Sequence, residues 1–291
     1  MIFKGAGVAI VTPFNGDNSI NFSMLEELIE FQIANKTDAI IVCGSTGEIS
    51  TMSNSEKLSV IEFTIKKVNG RVPVIAGIGC NDTTKVINFG KEVVKLGVDA
   101  VLAVCPYYNR PSQKGILIHF SNIAKNLDVP IILYNVPTRT GRNIEPETLL
   151  ELSKIPNIVA IKECNFSQVA KIKRLCGDNI DIYCGNDEQT LPMLSLGACG
   201  VISVASNIIP LDIHNLCYEF FNNNIKESRN IQLRALELID CLFIESSPVP
   251  IKTALCIIGK DVGKCRLPLY DMEQQNIDKL KSALCDYGFS I

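Results

Sequence analysis

Eight short, unbroken apolar runs, separated by turn-forming residues and by stretches of helical periodicity, recur along this chain. They occupy residues 6–11 (AGVAIV), 39–42 (AIIV), 73–77 (PVIAG), 100–104 (AVLAV), 130–134 (PIILY), 158–162 (IVAIK), 180–184 (IDIYC) and 200–204 (GVISV). Runs of this length without polar alternation read as strands buried on both faces, the mark of a parallel sheet covered by helices. Between them, residues 23–35, 55–68 and 85–97 carry apolar side chains at spacings of three and four, with a polar opposite face. The first run starts at residue 6 and the eighth at residue 200, a repeat of about 28 residues that suits a compact βα unit. Eight such units favour closure into a (β/α)8 TIM barrel over an open doubly wound sheet. Beyond residue 205 only helical patterns follow, at 211–223, 225–244 and 272–288. The expected organisation is a barrel over 1–223 and a C-terminal helical extension over 224–291.

A length of 291 residues suits one such barrel. With 28 Lys plus Arg against 31 Asp plus Glu, the surface offers no basic groove for nucleic acid, and 47% hydrophobic residues argue against disorder. No segment approaches the roughly 20 apolar residues that cross a bilayer, and the first residues lead straight into the first strand instead of a signal-peptide core. No membrane or nucleic-acid partner is expected, and the cytoplasm is the expected location. The twelve cysteines are scattered from Cys43 to Cys285 with no CxxC pair, and most lie in apolar runs, where a free thiol acts as a small hydrophobe. His119 and His214 have no partners at metal-ligand spacing, so neither a zinc site nor a histidine base is indicated. Phosphate-binding fingerprints are missing as well: there is no GxxxxGK, and Gly5-Ala6-Gly7 precedes its strand.

In a barrel of this type, functional groups cluster where strands end, because the loops there surround the carboxyl mouth. Lys162 closes the apolar run IVAIK. It reads either as a lysine snorkelling out at the strand's end, or held by Glu163 or a neighbouring acid, or as a desolvated amine able to form an imine with a carbonyl substrate. Tyr134 closes the preceding run, so its phenol would face the same mouth, as a proton relay or as a packed ring. The loop Gly44-Ser45-Thr46-Gly47-Glu48 offers two hydroxyls and turn-forming glycines ahead of a helix, which suits a carboxylate and equally an ordinary capped turn. Arg139, in a loop between Pro137 and Gly141, is placed for two-point contact with a carboxylate unless it lies free at the surface. Tyr107 and Tyr108, adjacent aromatics between Pro106 and Pro111, suggest an interface or a substrate contact.

With these residues assembled, the chain resembles the class I aldolase family of dihydrodipicolinate synthase and N-acetylneuraminate lyase, from near residue 5 to its C-terminal helices. GSTGE (44–48), YYNRP (107–111), YNVPTRTG (134–141), IKE (161–163), GND (185–187) and GVISV (200–204) stand in that family's order and spacing. YYNRP and YNVPTRTG resemble its synthase branch. The resemblance implies a barrel that condenses pyruvate with L-aspartate 4-semialdehyde to 4-hydroxy-tetrahydrodipicolinate, toward diaminopimelate and lysine. It implies no cofactor and no metal, only a covalent Schiff base with the substrate pyruvate. It makes Lys162 the imine-forming lysine and Tyr134 the central proton relay, with Ser45 and Tyr108 as further hydroxyls. Thr46 would hold the pyruvate carboxylate and Arg139 the semialdehyde carboxylate, while Gly185 and Ile202 would offer main-chain carbonyls. Tyr107 would lie in a tight dimer interface across which Tyr108 enters the neighbouring site, within a homo-oligomeric dimer of dimers.

Two positions depart from the family's common pattern. Ser45 stands where many synthases carry threonine, which keeps the hydroxyl. Lys57 and Lys85 stand where lysine-sensitive relatives carry a histidine and a glutamate, so a cationic effector would meet like charge, and weak or absent inhibition by L-lysine is expected. The rival readings are an aldolase for sialic acid or a 2-keto-3-deoxy sugar acid, for which Arg139 is less suited, and a non-catalytic barrel that binds keto acids. A nucleotide-dependent dehydrogenase lacks its fingerprint.

Overall fold

The computed structural model describes residues 1–291. Its strands are β1 (Gly5–Ala9), β2 (Ala39–Val42), β3 (Val74–Gly77), β4 (Ala100–Val104), β5 (Ile131–Asn135), β6 (Ile158–Glu163), β7 (Asp181–Cys184) and β8 (Gly200–Ser203). They close into one barrel in chain order, every neighbouring pair parallel and β1 completing the circle against β8. Side chains alternate across the wall, as strand geometry requires. Ala9, Ile41, Ile75, Leu102, Ile132, Ala160 and Ile202 fill the interior. Their neighbours Val8, Ile40, Ala76, Val101, Leu133, Ile161 and Val201 pack outward in the larger core. This double burial is why the runs lacked polar alternation. At the amino end the Phe3 ring stacks on Tyr183 with centroids 4.3 Å apart, and the Tyr183 hydroxyl donates to the Phe3 carbonyl at 2.7 Å, so the pair stoppers the barrel.

The helices that cover the wall begin with Phe22–Ala34, Asn54–Val68, Thr83–Lys95 and Gln113–Asn126. Each start is held by a side-chain cap, from Asn21, Ser53, Asp82 and Ser112 respectively. At Asn54–Val68 the Ser53 hydroxyl and the Glu56 carboxylate complete a reciprocal capping box, a feature worth about 1 kcal/mol. The strand ends differ from the sequence expectation by one or two residues for local reasons. β1 stops at Ala9 because Asn207 takes over beyond it, its amide donating to the Ala9 carbonyl at 2.8 Å and accepting from Val11 N at 3.1 Å. β5 and β6 instead run one residue further, to Asn135 and Glu163, which pair in register.

Past the barrel helix Pro210–Phe221 come Ile225–Leu242, Val249–Ile257 and Gln274–Tyr287. Val249–Ile257 was not anticipated. It is buried at Val249, Pro250, Ile251, Lys252, Ala254 and Leu255, so no polar face marks its period. This helix also ties the C-terminal segment to the barrel mouth. The Lys252 ammonium, its side chain 2% exposed, donates to Glu48 Oε1 at 2.9 Å and to the carbonyls of Thr12 and Lys264 at 3.1 and 2.9 Å. The other Glu48 oxygen accepts from Arg266 N at 2.8 Å. No helix is long and apolar enough to cross a membrane.

Candidate active site

Strand register brings the central pair together. Lys162 on β6 is the direct partner of Tyr134 on β5, and an inward-facing position on each puts both side chains at the top of the barrel. The Lys162 ammonium lies 4.6 Å from the centroid of the Tyr134 ring. Only 5% of Lys162 is exposed, and it forms no ion pair. Burial therefore lowers its pKa, against a weaker opposing pull from Cys164 and the Asp187 carboxylate. The amine is thereby made more available for attack on a carbonyl. Glu163 does not hold it: the next residue on the strand points through the wall to the outer side.

Burial raises the Tyr134 phenol above its ordinary range, so it stays protonated, and its hydroxyl sits beside the Ser45 hydroxyl and the Cys164 thiol. Burial likewise pushes Cys164 up to about 11, which keeps that thiol neutral. Cys164 was not singled out from the sequence. The only signal was its position two residues after the strand-ending lysine, where the apolar pattern has already stopped. Gly185 is needed at the end of β7: a Cβ there would overlap the Cys164 sulfur and come within 3.2 Å of the Lys162 side chain. Ile202 packs in the same interior cluster as Tyr134.

The GSTGE loop lies above this pair. Cys43 and Glu48 take positive φ at its two ends, and Gly47 N and Glu48 N turn back to the carbonyls of Gly44 and Ser45 at 3.1 Å each. The N–H groups of Ser45 and Thr46 donate to no acceptor within the protein. Two backbone donors and two hydroxyls thus remain for an anionic group. A cavity of about 450 Å³ opens beside Ser45, lined also by Tyr107, Val136, Arg139 and Ser247 but not by Thr46, Tyr134 or Lys162; Tyr134 meets Ser45 in a separate small cavity beneath the loop. Arg139, in the short helix Pro137–Thr140, donates to the Ser247 carbonyl at 3.2 Å and stands at this entrance. Tyr108 is not brought into the group. Its side chain is 89% exposed at a φ of +72°, and it does not line this cavity.

A closed parallel barrel with a desolvated lysine and a neutral phenol at its carboxyl mouth has the architecture of class I aldolases, which take carbonyl substrates as imines. More narrowly, the chain belongs to the dihydrodipicolinate synthetase family, whose model matches residues 2–286. It is 53% identical over 287 residues to the 4-hydroxy-tetrahydrodipicolinate synthase of Acetivibrio thermocellus, covering 99% of this chain and 98% of that protein. Its identity to the same enzyme of Clostridium novyi is 52% over 289 residues, covering 99% and 97%. Among solved structures, the chloride-inhibited dihydrodipicolinate synthase of Acinetobacter baumannii complexed with pyruvate superimposes with a TM-score of 0.97 at 37% identity, covering 100% of each chain.

Proposed function

We propose that this chain condenses pyruvate with L-aspartate 4-semialdehyde to 4-hydroxy-tetrahydrodipicolinate, a step toward diaminopimelate and lysine. The observation that carries the reading is the buried, unpaired Lys162 amine facing the Tyr134 phenol in a chain about half identical to synthases along its whole length. Lys162 attacks the pyruvate carbonyl, and loss of water gives the imine. Tyr134, with Ser45 beside it, moves the protons of carbinolamine breakdown. The protonated imine nitrogen then draws electrons from the neighbouring methyl group, which loses a proton to give an enamine that adds to the aldehyde. The semialdehyde's amino group next attacks the resulting imine carbon and expels the Lys162 amine, closing the ring and freeing the enzyme. The barrel supplies proximity, a site for the pyruvate carboxylate at Ser45 and Thr46, and Arg139 for the second carboxylate. The carbonyls of Gly185 and Ile202 line the pocket. The reaction needs no cofactor beyond the covalent link to the substrate.

We place the enzyme in the cytoplasm, where twelve free thiols suit a reducing compartment. A dimer of dimers is its assembly, with Tyr107 in the tight interface and Tyr108 completing the partner's relay. An aromatic 89% exposed at positive φ supports that role, because both exposure and strain are costs that a partner's pocket relieves. We assign it weak or absent inhibition by L-lysine, since Lys57 and Lys85 line one cleft of about 350 Å³, which Glu92 also borders. Two experiments test the reading. Adding borohydride with pyruvate and weighing the protein must give one covalent adduct, lost in Lys162→Ala. Turnover with aspartate semialdehyde must exceed turnover with sialic acid; the reverse order would reassign the substrate.

A further inference from the structure

Directly behind the catalytic pair, on the outer side of the barrel wall, stands a second pair. Asn135 and Glu163 are register partners at the ends of β5 and β6, one residue beyond Tyr134 and Lys162. Glu163 is fully buried and has no basic partner. Its carboxylate accepts instead from three donor groups, one of them shared between its two oxygens. Oε1 accepts from Asn165 N at 2.7 Å and Asn135 Nδ2 at 2.8 Å, and Oε2 from Gln168 Nε2 at 2.8 Å and Asn135 Nδ2 at 3.1 Å.

The backbone fixes the polarity of this network. Ile144 N donates to Asn135 Oδ1 at 3.0 Å, so the Asn135 amide nitrogen must face Glu163. Gln168 Nε2 also donates to the Ile144 carbonyl at 3.1 Å, and its oxygen accepts from Asn143, so it cannot turn over either. Every neighbour of Glu163 is thus a donor, and only an acceptor-only group completes the set. These bonds favour the ionised form, but burial outweighs them and leaves its pKa raised to about 7. A network this fully determined, at the two strand ends that carry the reacting groups, costs more to assemble than packing alone demands.

We infer that Glu163 is a positioning residue: its bond to Asn135 staples β5 to β6 from behind and holds the Lys162 amine and Tyr134 phenol at one height. The inference rests on the imine-forming role proposed for Lys162. Displacing one group from the other slows proton transfer while leaving pyruvate binding intact, because the carboxylate site belongs to a different loop.

Glu163→Gln keeps size and burial but turns an amide N–H₂ toward a donor in either orientation. The expected result is a pyruvate KM within about twofold of wild type, continued borohydride capture of pyruvate, and a kcat lower by about tenfold, short of the ~100-fold that a 1 Å misplacement can cost. A kcat unchanged in Glu163→Gln, or a loss confined to KM, would each overturn the inference. Should Glu163→Gln fail to fold, Asn135→Ala removes the same cross-strand bond and must show the same loss in kcat alone. Wild-type protein run in parallel separates the two claims: if it captures no pyruvate, the functional reading fails first.

Discussion

The buried pair between Glu48 and Lys252 offers a quantitative test of how the C-terminal segment supports the barrel mouth. Both side chains are almost wholly enclosed, 1% and 2% exposed, and every hydrogen-bonding direction of the ammonium is used. Converting Glu48 to Gln leaves Lys252 charged and uncompensated in the interior. Converting Lys252 to Met strands the Glu48 carboxylate on a single N–H. Either loss costs about 3–5 kcal/mol, because the surviving ion keeps its desolvation penalty without its partner. At roughly 2–4 °C per kcal/mol for a large domain, the melting point falls by about 10 °C. The double variant Glu48→Gln with Lys252→Met removes both charges and should be less damaged than either single change, giving a coupling energy of at least ~2 kcal/mol in a double-mutant cycle. Urea and thermal melts of the four proteins measure it. Single losses below ~1 kcal/mol, or losses that simply add, would refute the reasoning. Because Glu48 closes the GSTGE loop, the folded single variants should also show a raised KM for pyruvate.

Other expectations follow from the site. Tyr134→Phe should still form the cavity but lose turnover on the order of 10²-fold, read in steady-state assays; near-normal activity removes it from the relay. Arg139→Ala should raise KM for aspartate semialdehyde by about tenfold or more while borohydride capture of pyruvate is unchanged; equal effects on both substrates would place Arg139 elsewhere. L-lysine at sub-millimolar concentration should not inhibit, even though Glu92 also borders the cleft of Lys57 and Lys85, and calorimetric binding in that range would contradict this. Arg266, bonded to Glu56 at 2.5 and 3.2 Å, holds that carboxyl down at about 2. A depressed carboxyl stabilises the fold above its unfolded value near 4.5, and the benefit fades as pH falls through 2. Arg266→Met should thus be destabilised at pH 7, with the gap to wild type narrowing by pH 3. A gap of constant size would point to packing as its source.

The strands were legible because a parallel barrel buries both faces of its wall, which leaves continuous apolar runs in the sequence. The residues at their ends stood out for the same reason: Lys162 and Tyr134 interrupt runs that have no structural use for them. What escaped depended on partners far away in the chain. Nothing near residue 252 signals that its lysine closes a loop at residue 48. The helix Val249–Ile257 escaped because it is enclosed on most sides and so has no amphipathic rhythm. Glu163 was read as a candidate holder of Lys162, but strand alternation sends neighbouring side chains to opposite faces. Its partners, Asn135 and Gln168, come together only when β5, β6 and the following loop are assembled. Tyr108 was expected as an interface or substrate aromatic, whereas its exposure and its absence from this chain's own cavity could come only from coordinates.

The stacked rings of Phe3 and Tyr183 have a practical corollary for anyone handling the protein. Residues so close to the start of a chain are often trimmed or replaced when expression vectors are built. Here the third side chain is a cork, and cutting it away would let water reach the barrel floor below Lys162 and Tyr134. Trimmed material could then look like a weakened catalyst when its fault lies at the opposite end of the molecule.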